Sequence, residues 1–409
     1  MRKIFCILLA GLLLFSGCTP INQGTDLMAT VQAKDVEKVT DLTKEAAAVT
    51  DFGVRLFQQS LEDEKNILIS PLSVMSGLTM MGNGASGETL SQLETVLGLP
   101  VTDLTKYLHS YVSQLPSAEN YRLSLANSIW FTDSKLFTAN PDFLQTNADY
   151  FGADMYQLPF SRNAVRAMNN WVDEKTDGMI PEIIKEIPDN ALMYLINALA
   201  FEAKWENEYE RSDVDKGTFT LEDGTTKKMD FMYSEEHKYL EDENAVGVIK
   251  YYKENKYAFA ALLPNEGVTV AEYAATLTGD HLYEMLANPA RESVKTAIPK
   301  FEADYSGRME DVLKNMGLTD AFDPRLADFS QLGSFEGGNI YVEEMLHKTY
   351  ISVDEKGTKA TALFAGLFSG GSEGPIEYKY VYLDRPFIYM LIDCETNLPF
   401  FIGAFMDPK

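Results

Sequence analysis

The run Ala-Leu-Met-Tyr-Leu-Ile-Asn-Ala-Leu-Ala-Phe, from Ala191 to Phe201, is apolar on both of its alternating faces. A strand of this kind is stable only when covered above and below, so it predicts the centre of a sheet sandwiched between other layers. Tyr257 to Leu263 reads the same way. Near the end, Phe387 to Asp393 and Phe400 to Phe405 flank the turn-like Glu395-Thr396-Asn397, which predicts a buried closing hairpin. Helical spacing dominates the first half. Val49, Phe52 and Leu56 share a face, and Ser70-Pro71 supplies a cap and first-turn proline before Val74, Met75 and Leu78. Leu90, Leu93 and Leu97 stop at Gly98, Val165, Met168 and Trp171 or Val172 form a stripe before Gly178, and Met309 to Met316 stop at Gly317. Helices early and strands late, without regular alternation, predict an α+β fold and argue against a Rossmann sheet or a TIM barrel.

No linker, repeat or composition shift divides the chain beyond about residue 45, so one large domain is expected over 43–409. Before it, Arg2 and Lys3 precede an apolar run from Ile4 to Phe15 that is too short to span a bilayer, the layout of a signal peptide over 1–17. Leu14-Phe15-Ser16-Gly17-Cys18 looks like a bacterial lipobox and predicts lipid on Cys18, with the protein held on the outer face of the membrane; a secreted form is the second choice. Residues 18–42 are polar and read as a flexible stalk. Once Cys6 has left with the signal and Cys18 carries lipid, Cys394 stands alone, so no intramolecular disulfide is expected.

Most chemistry is excluded by what the sequence lacks. Acidic residues number 61 against 35 basic ones, a formal charge of −26 that repels nucleic acid over the whole surface. None of the four histidines, His109, His237, His281 and His347, sits in an HExxH pair, and no CxxC or Walker-type loop is present. Gly370-Gly371-Ser372-Glu373-Gly374 fits the G-x-S-x-G elbow of hydrolases, but Pro375 follows it and no histidine lies beyond His347 to complete a triad. The unusual segment is Glu355 to Pro375. It lies between the strand-like Thr349 to Val353 and Tyr378 to Leu383, and no Lys or Arg occurs from Ala360 to Tyr378. Thr358, Ala360, Ala362, Phe364, Gly366 and Phe368 alternate as small or apolar residues, so one face could enter a core if the segment became a strand. The pattern does not separate a permanent strand from a conditional one.

Several motifs in order resemble one family. Val381 to Leu391 (VYLDRPFIYML) is similar to the signature near the C-terminus of serpins, and four further stretches match: Asn66 to Pro71 with Ser73, Asn170 to Ile180, Asn197 to Trp205, and Ile298-Pro299-Lys300-Phe301. His347-Lys348 leading to Asp354-Glu355-Lys356-Gly357-Thr358 resembles the proximal hinge. The resemblance, from about Val49 to Met406, implies three sheets, eight or nine helices and an exposed reactive-centre loop. It implies a monomer that needs no cofactor and performs no turnover, trapping an extracellular serine protease as a covalent acyl complex when the cut loop enters the large sheet; sheet insertion by serpins is an established example of strand addition.

Residue by residue, the resemblance assigns Glu355, Gly357, Thr358, Ala360 and Ala362 to the hinge, and Ser70, Ser73, Asn197 and His347 to a hydrogen-bonded shutter. Trp205, Lys300 and Glu355 fall in the breach where insertion begins. In this scheme Thr358 passes from solvent into the sheet during insertion. Leu363 and Phe364 stand where the family usually has alanines, which bears on insertion speed. Counting about 16 residues from Glu355, a span set by about 3.3 Å per strand residue, places the scissile bond at Gly371-Ser372. A small residue there and the missing cations point to an elastase-like target and away from trypsin-like ones. Alternatives are a chymotrypsin-like cut after Leu367 or Phe368, a subtilisin-like target, or a non-inhibitory serpin that binds a ligand or acts as a chaperone.

Overall fold

The computed structural model describes residues 24–62, 64–133, 137–188, 191–358 and 377–408. A sheet of seven strands organises it, in the spatial order Thr25–Asp26, Asp154–Leu158, Tyr121–Thr132, Met193–Lys204, Gly357–Thr358, Glu344–Asp354 and Phe301–Arg308. The doubly apolar run is the middle of Met193–Lys204, and both its faces are covered. Tyr194, Ile196 and Ala198 pack with Trp130 beneath Ala164, Met168 and Trp171 of the helix Arg162–Lys175. Leu195, Leu199 and Phe201 face the main core on the other side.

A six-stranded sheet forms the second layer and contains the closing hairpin Phe387–Asp393 and Pro399–Phe405, with Tyr257–Pro264 beside it. A four-stranded sheet runs Tyr378–Tyr382, Ser293–Pro299, Thr226–Glu236 and Val214–Thr220, and Gly333–Phe335 pairs with Phe137–Ala139 in a small fourth sheet. Nine α-helices lie among the described residues. The capping signals are realised: Ser70 Oγ accepts from Ser73 N–H at 3.2 Å ahead of Pro71–Gly82. Gly98 (φ 80°) and Gly317 (φ 113°) end their helices in the left-handed region.

The segment read as a flexible stalk departs from expectation over its described part. Thr25 and Asp26 pair antiparallel with Gln157 and Tyr156 on the edge of the large sheet, and Leu27 and Met28 pack against the core. The chain is then strapped to two helices: Lys34 N–H donates to Asp149 Oδ1 at 2.7 Å, Gln145 Nε2 to the Gln32 carbonyl at 2.9 Å, and Val39 N–H to Ser110 Oγ at 2.8 Å. The physical reason is that an edge strand presents unpaired backbone groups that any sequence can satisfy, so polar composition gave no sign of docking.

Candidate functional site

The strands Met193–Lys204 and Glu344–Asp354 run side by side in parallel from Tyr194 opposite Glu344 to Ala200 opposite Tyr350. Above that point they diverge. The chain turns back at Glu355-Lys356, where Lys356 N–H donates to Asp354 Oδ1 at 2.8 Å, and Gly357–Thr358 enters the opening antiparallel to both neighbours. Only glycine fits at 357: φ is 142°, and a Cβ there would lie 2.1 Å from the Ala203 carbonyl oxygen. Thr358 is 1% exposed, and its hydroxyl meets the Tyr252 hydroxyl at 2.8 Å. The expectation that Thr358 starts in solvent is therefore corrected. The tight turn and Gly357 seat it in the sheet while the strands below remain closed.

Three successive carbonyls of the turn are held from one side. Trp205 Nε1–H donates to Asp354 O at 2.8 Å, Tyr209 N–H to Glu355 O at 2.9 Å and Trp205 N–H to Lys356 O at 2.9 Å. Trp205 stacks on Tyr252 with 4.4 Å between ring centroids. Lys300 Nζ reaches Glu355 Oε1 at 2.6 Å. Burial opposes ionisation of Glu355, but the Lys300 hydrogen bond and charge outweigh it and hold the carboxyl below its ordinary range. Trp205, Lys300 and Glu355 thus meet around the hinge.

Ser70, Ser73, Asn197 and His347 also converge, all of them buried. His347 faces Asn197 across the parallel pair, and Ser70 N–H donates to His347 Nε2 at 3.0 Å, which leaves the ring proton on Nδ1. Burial pushes the imidazole pKa down to about 4, so the ring is neutral. Asn197 donates to Asn127 Oδ1 on the next strand, and Thr349 Oγ1 donates to the Leu68 carbonyl at 2.6 Å. Ser73 Oγ, Asn197 Oδ1 and His347 Nδ1 have no partner among the described residues. The cluster is therefore hydrogen-bonded mainly through backbone groups and a neighbouring strand.

Ala360, Ala362, Gly371, Ser372 and the Gly-Gly-Ser-Glu-Gly run lie outside the described residues, as does Cys18. Asn127, Tyr209, Lys250 and Tyr252 were missed by sequence reasoning. Only Lys250 left a signal, as a cation inside the otherwise apolar strand Ala245–Tyr251. Cys394 packs against the core, and burial pushes its thiol up to about 12, as suits a structural residue.

The sequence pattern of the serpin (serine protease inhibitor) family matches residues 47–408. The chain belongs to the serpin family. Serpins are in general protease inhibitors and not enzymes. The native crystal structure of the thermophilic serpin tengpin superposes with a TM-score of 0.90 at 44% identity, covering 94% of this chain and all (100%) of that one. Tengpin in its latent state gives 0.79 at 42% identity, over 92% of this chain and 100% of that one. An uncharacterised serpin-like protein of Thermococcus kodakarensis is 29% identical over 88% of this chain and 85% of its own length. The leukocyte elastase inhibitor of Xenopus laevis is 27% identical over 89% of this chain and 99% of its own.

Proposed function

We propose that this serpin is an irreversible suicide inhibitor of an elastase-like serine protease, acting as a lipid-anchored monomer outside the cell. The observation that carries the reading is the seated hinge: Gly357–Thr358 already occupies the mouth of the gap between Met193–Lys204 and Glu344–Asp354, antiparallel to both. The protease serine attacks the Gly371 carbonyl, the Gly371-Ser372 bond breaks, the Ser372 amine leaves, and an ester joins Gly371 to the protease. The N-terminal cut end then continues the strand that Thr358 has begun. Its C-terminal counterpart stays with Tyr378–Tyr382, which is paired in parallel with Ser293–Pro299 in another sheet.

The 13 residues from Thr358 to Gly371 (371 − 358) carry the acylated protease about 40 Å along the sheet. About a dozen new ladder bonds at roughly 1 kcal/mol net each, with apolar burial, supply the driving force. A protease whose oxyanion hole is pulled out of shape does not complete deacylation, so the ester persists. The absence of Lys and Arg from Ala360 to Tyr378 disfavours a trypsin-like target, and Gly371 at the counted bond favours a small primary pocket, as does the likeness to a protein named for elastase inhibition. Incubation with elastase-, chymotrypsin-, subtilisin- and trypsin-like enzymes, followed by mass spectrometry of the released C-terminal fragment, tests the assignment. A start at Ser372, give or take one residue, from the best-trapped enzyme supports it; a start at Phe368 or Ser369 transfers the target to chymotrypsin-like enzymes.

A further inference from the structure

A buried ion pair sits directly behind the groups that hold the hinge. Lys250 is 2% exposed, and its Nζ donates to Glu236 Oε1 at 2.7 Å. The ammonium also lies 4.5 Å from the centre of the Tyr209 ring and 5.4 Å from that of Trp205. These are the two residues that donate to the carbonyls of Asp354, Glu355 and Lys356. Glu236 is fixed in turn: Ser234 Oγ donates to it at 2.7 Å, and the same hydroxyl meets Thr296 Oγ1 at 2.9 Å and the Tyr209 hydroxyl at 3.2 Å. A lysine placed in an apolar strand requires compensation for lost hydration, and one carboxylate with two ring faces provides it. Among the described residues the polar partners of the pair lie outside the hinge, and neither member belongs to the motifs that mark the family in this sequence.

We infer that Lys250, held by Glu236, is a positioning residue that fixes Trp205 and Tyr209 against the turn and so keeps Gly357 and Thr358 seated in the sheet before any cut. The ammonium attracts both rings to one point. Trp205 can then present its backbone and indole N–H groups to Lys356 and Asp354 together, while Tyr209 presents its amide to Glu355. Without the cation the two rings lose their common anchor, and the turn is released from three carbonyls at once. The consequence for trapping rests on the inhibitory reading above; the seating of the hinge in the intact protein does not.

The test is hydrogen exchange in the full chain, comparing the parent with Lys250→Met and with the double variant Lys250→Met/Glu236→Gln, which leaves no unpaired charge behind. In both variants, amides of 354–358 are expected to exchange about tenfold faster than in the parent, equivalent to one net backbone hydrogen bond, while amides of Tyr121–Thr132 and Phe387–Asp393 keep their rates. Against a protease that the parent traps, the variants should leave a larger cleaved, untrapped fraction. Hinge exchange unchanged in the double variant overturns the inference. So does equal acceleration of hinge and core strands, which assigns the pair to general stability. If the parent traps no protease, the inhibitory reading fails alone, and the exchange rates still decide this one.

Discussion

Replacing Thr358 with Arg perturbs the hinge at its most enclosed point. The site is 1% exposed, and the threonine hydroxyl has one polar neighbour, the Tyr252 hydroxyl at 2.8 Å. An arginine there has two courses. It can remain in the sheet as a buried charge with no carboxylate partner, which costs several kcal/mol. Or the hinge can withdraw, giving up the pairing of Gly357 with Lys204 and of Thr358 with Ala203 and Val353, together with the hydroxyl contact. Withdrawal costs about 4 kcal/mol at roughly 1 kcal/mol net for each of these four contacts, so either course is costly. If that cost falls on the insertion step, insertion slows about 1000-fold while deacylation continues at its own rate. The acyl-enzyme then hydrolyses before it is distorted. On denaturing gels Thr358→Arg should give cleaved protein and free active protease, whereas Thr358→Ser, which keeps the hydroxyl, should still give the covalent complex. An arginine variant that traps protease as completely as the parent would refute the reasoning.

The buried imidazole gives a second prediction. His347 is held at about 4 against 6.5 for the free side chain, so the unfolded chain takes up the proton first. Its contribution is complete above 6.5 and is lost as pH falls through that value towards about 4, by about 3 kcal/mol in all. Urea unfolding of the parent and His347→Gln should therefore converge or cross on acidification; curves that stay parallel contradict the assignment. Glu310, Asp384 and Asp393, whose burial raises their carboxyls, act in the opposite direction but equally in both proteins. For the proposed membrane anchor, Cys18→Ala should move the protein from the membrane fraction to the soluble one, and unchanged partitioning removes the lipid from the account.

What could be read from the sequence was whatever local pattern determines. Ala191 to Phe201 announced a strand covered on both faces because both alternating sets are apolar apart from Asn197, and Gly98 and Gly317 marked helix ends because the left-handed cap favours glycine. Asn197, His347, Trp205 and Lys300, and the part Ser70 plays beyond its helix cap, were accessible only through resemblance, since a serine or a histidine in a core pattern says nothing of its partner. Other features depend on residues far apart in the chain. The docking of Thr25 and Asp26 is made by backbone bonds that leave no mark on composition. The meeting of Tyr252 with Thr358, 106 positions away, and of Lys250 with Trp205 and Tyr209 exists only after sheets have packed. Thr358 was misplaced for a related reason: its small side chain suits either solvent or sheet, and the tight fit of Gly357 against Ala203 decides between them.

The central claim is that the loop becomes a strand once cut, and calorimetry of the intact and loop-nicked protein tests it most directly. Limited cleavage near Gly371, followed by removal of the nicking enzyme, leaves the same covalent chain with one bond fewer. Insertion adds about a dozen ladder bonds that the intact protein lacks, on the order of 10 kcal/mol. At roughly 2 °C per kcal/mol for a domain of this size, the unfolding temperature should rise by about 20 °C. A nicked protein that unfolds at the same temperature as the intact one, or below it, contradicts the account.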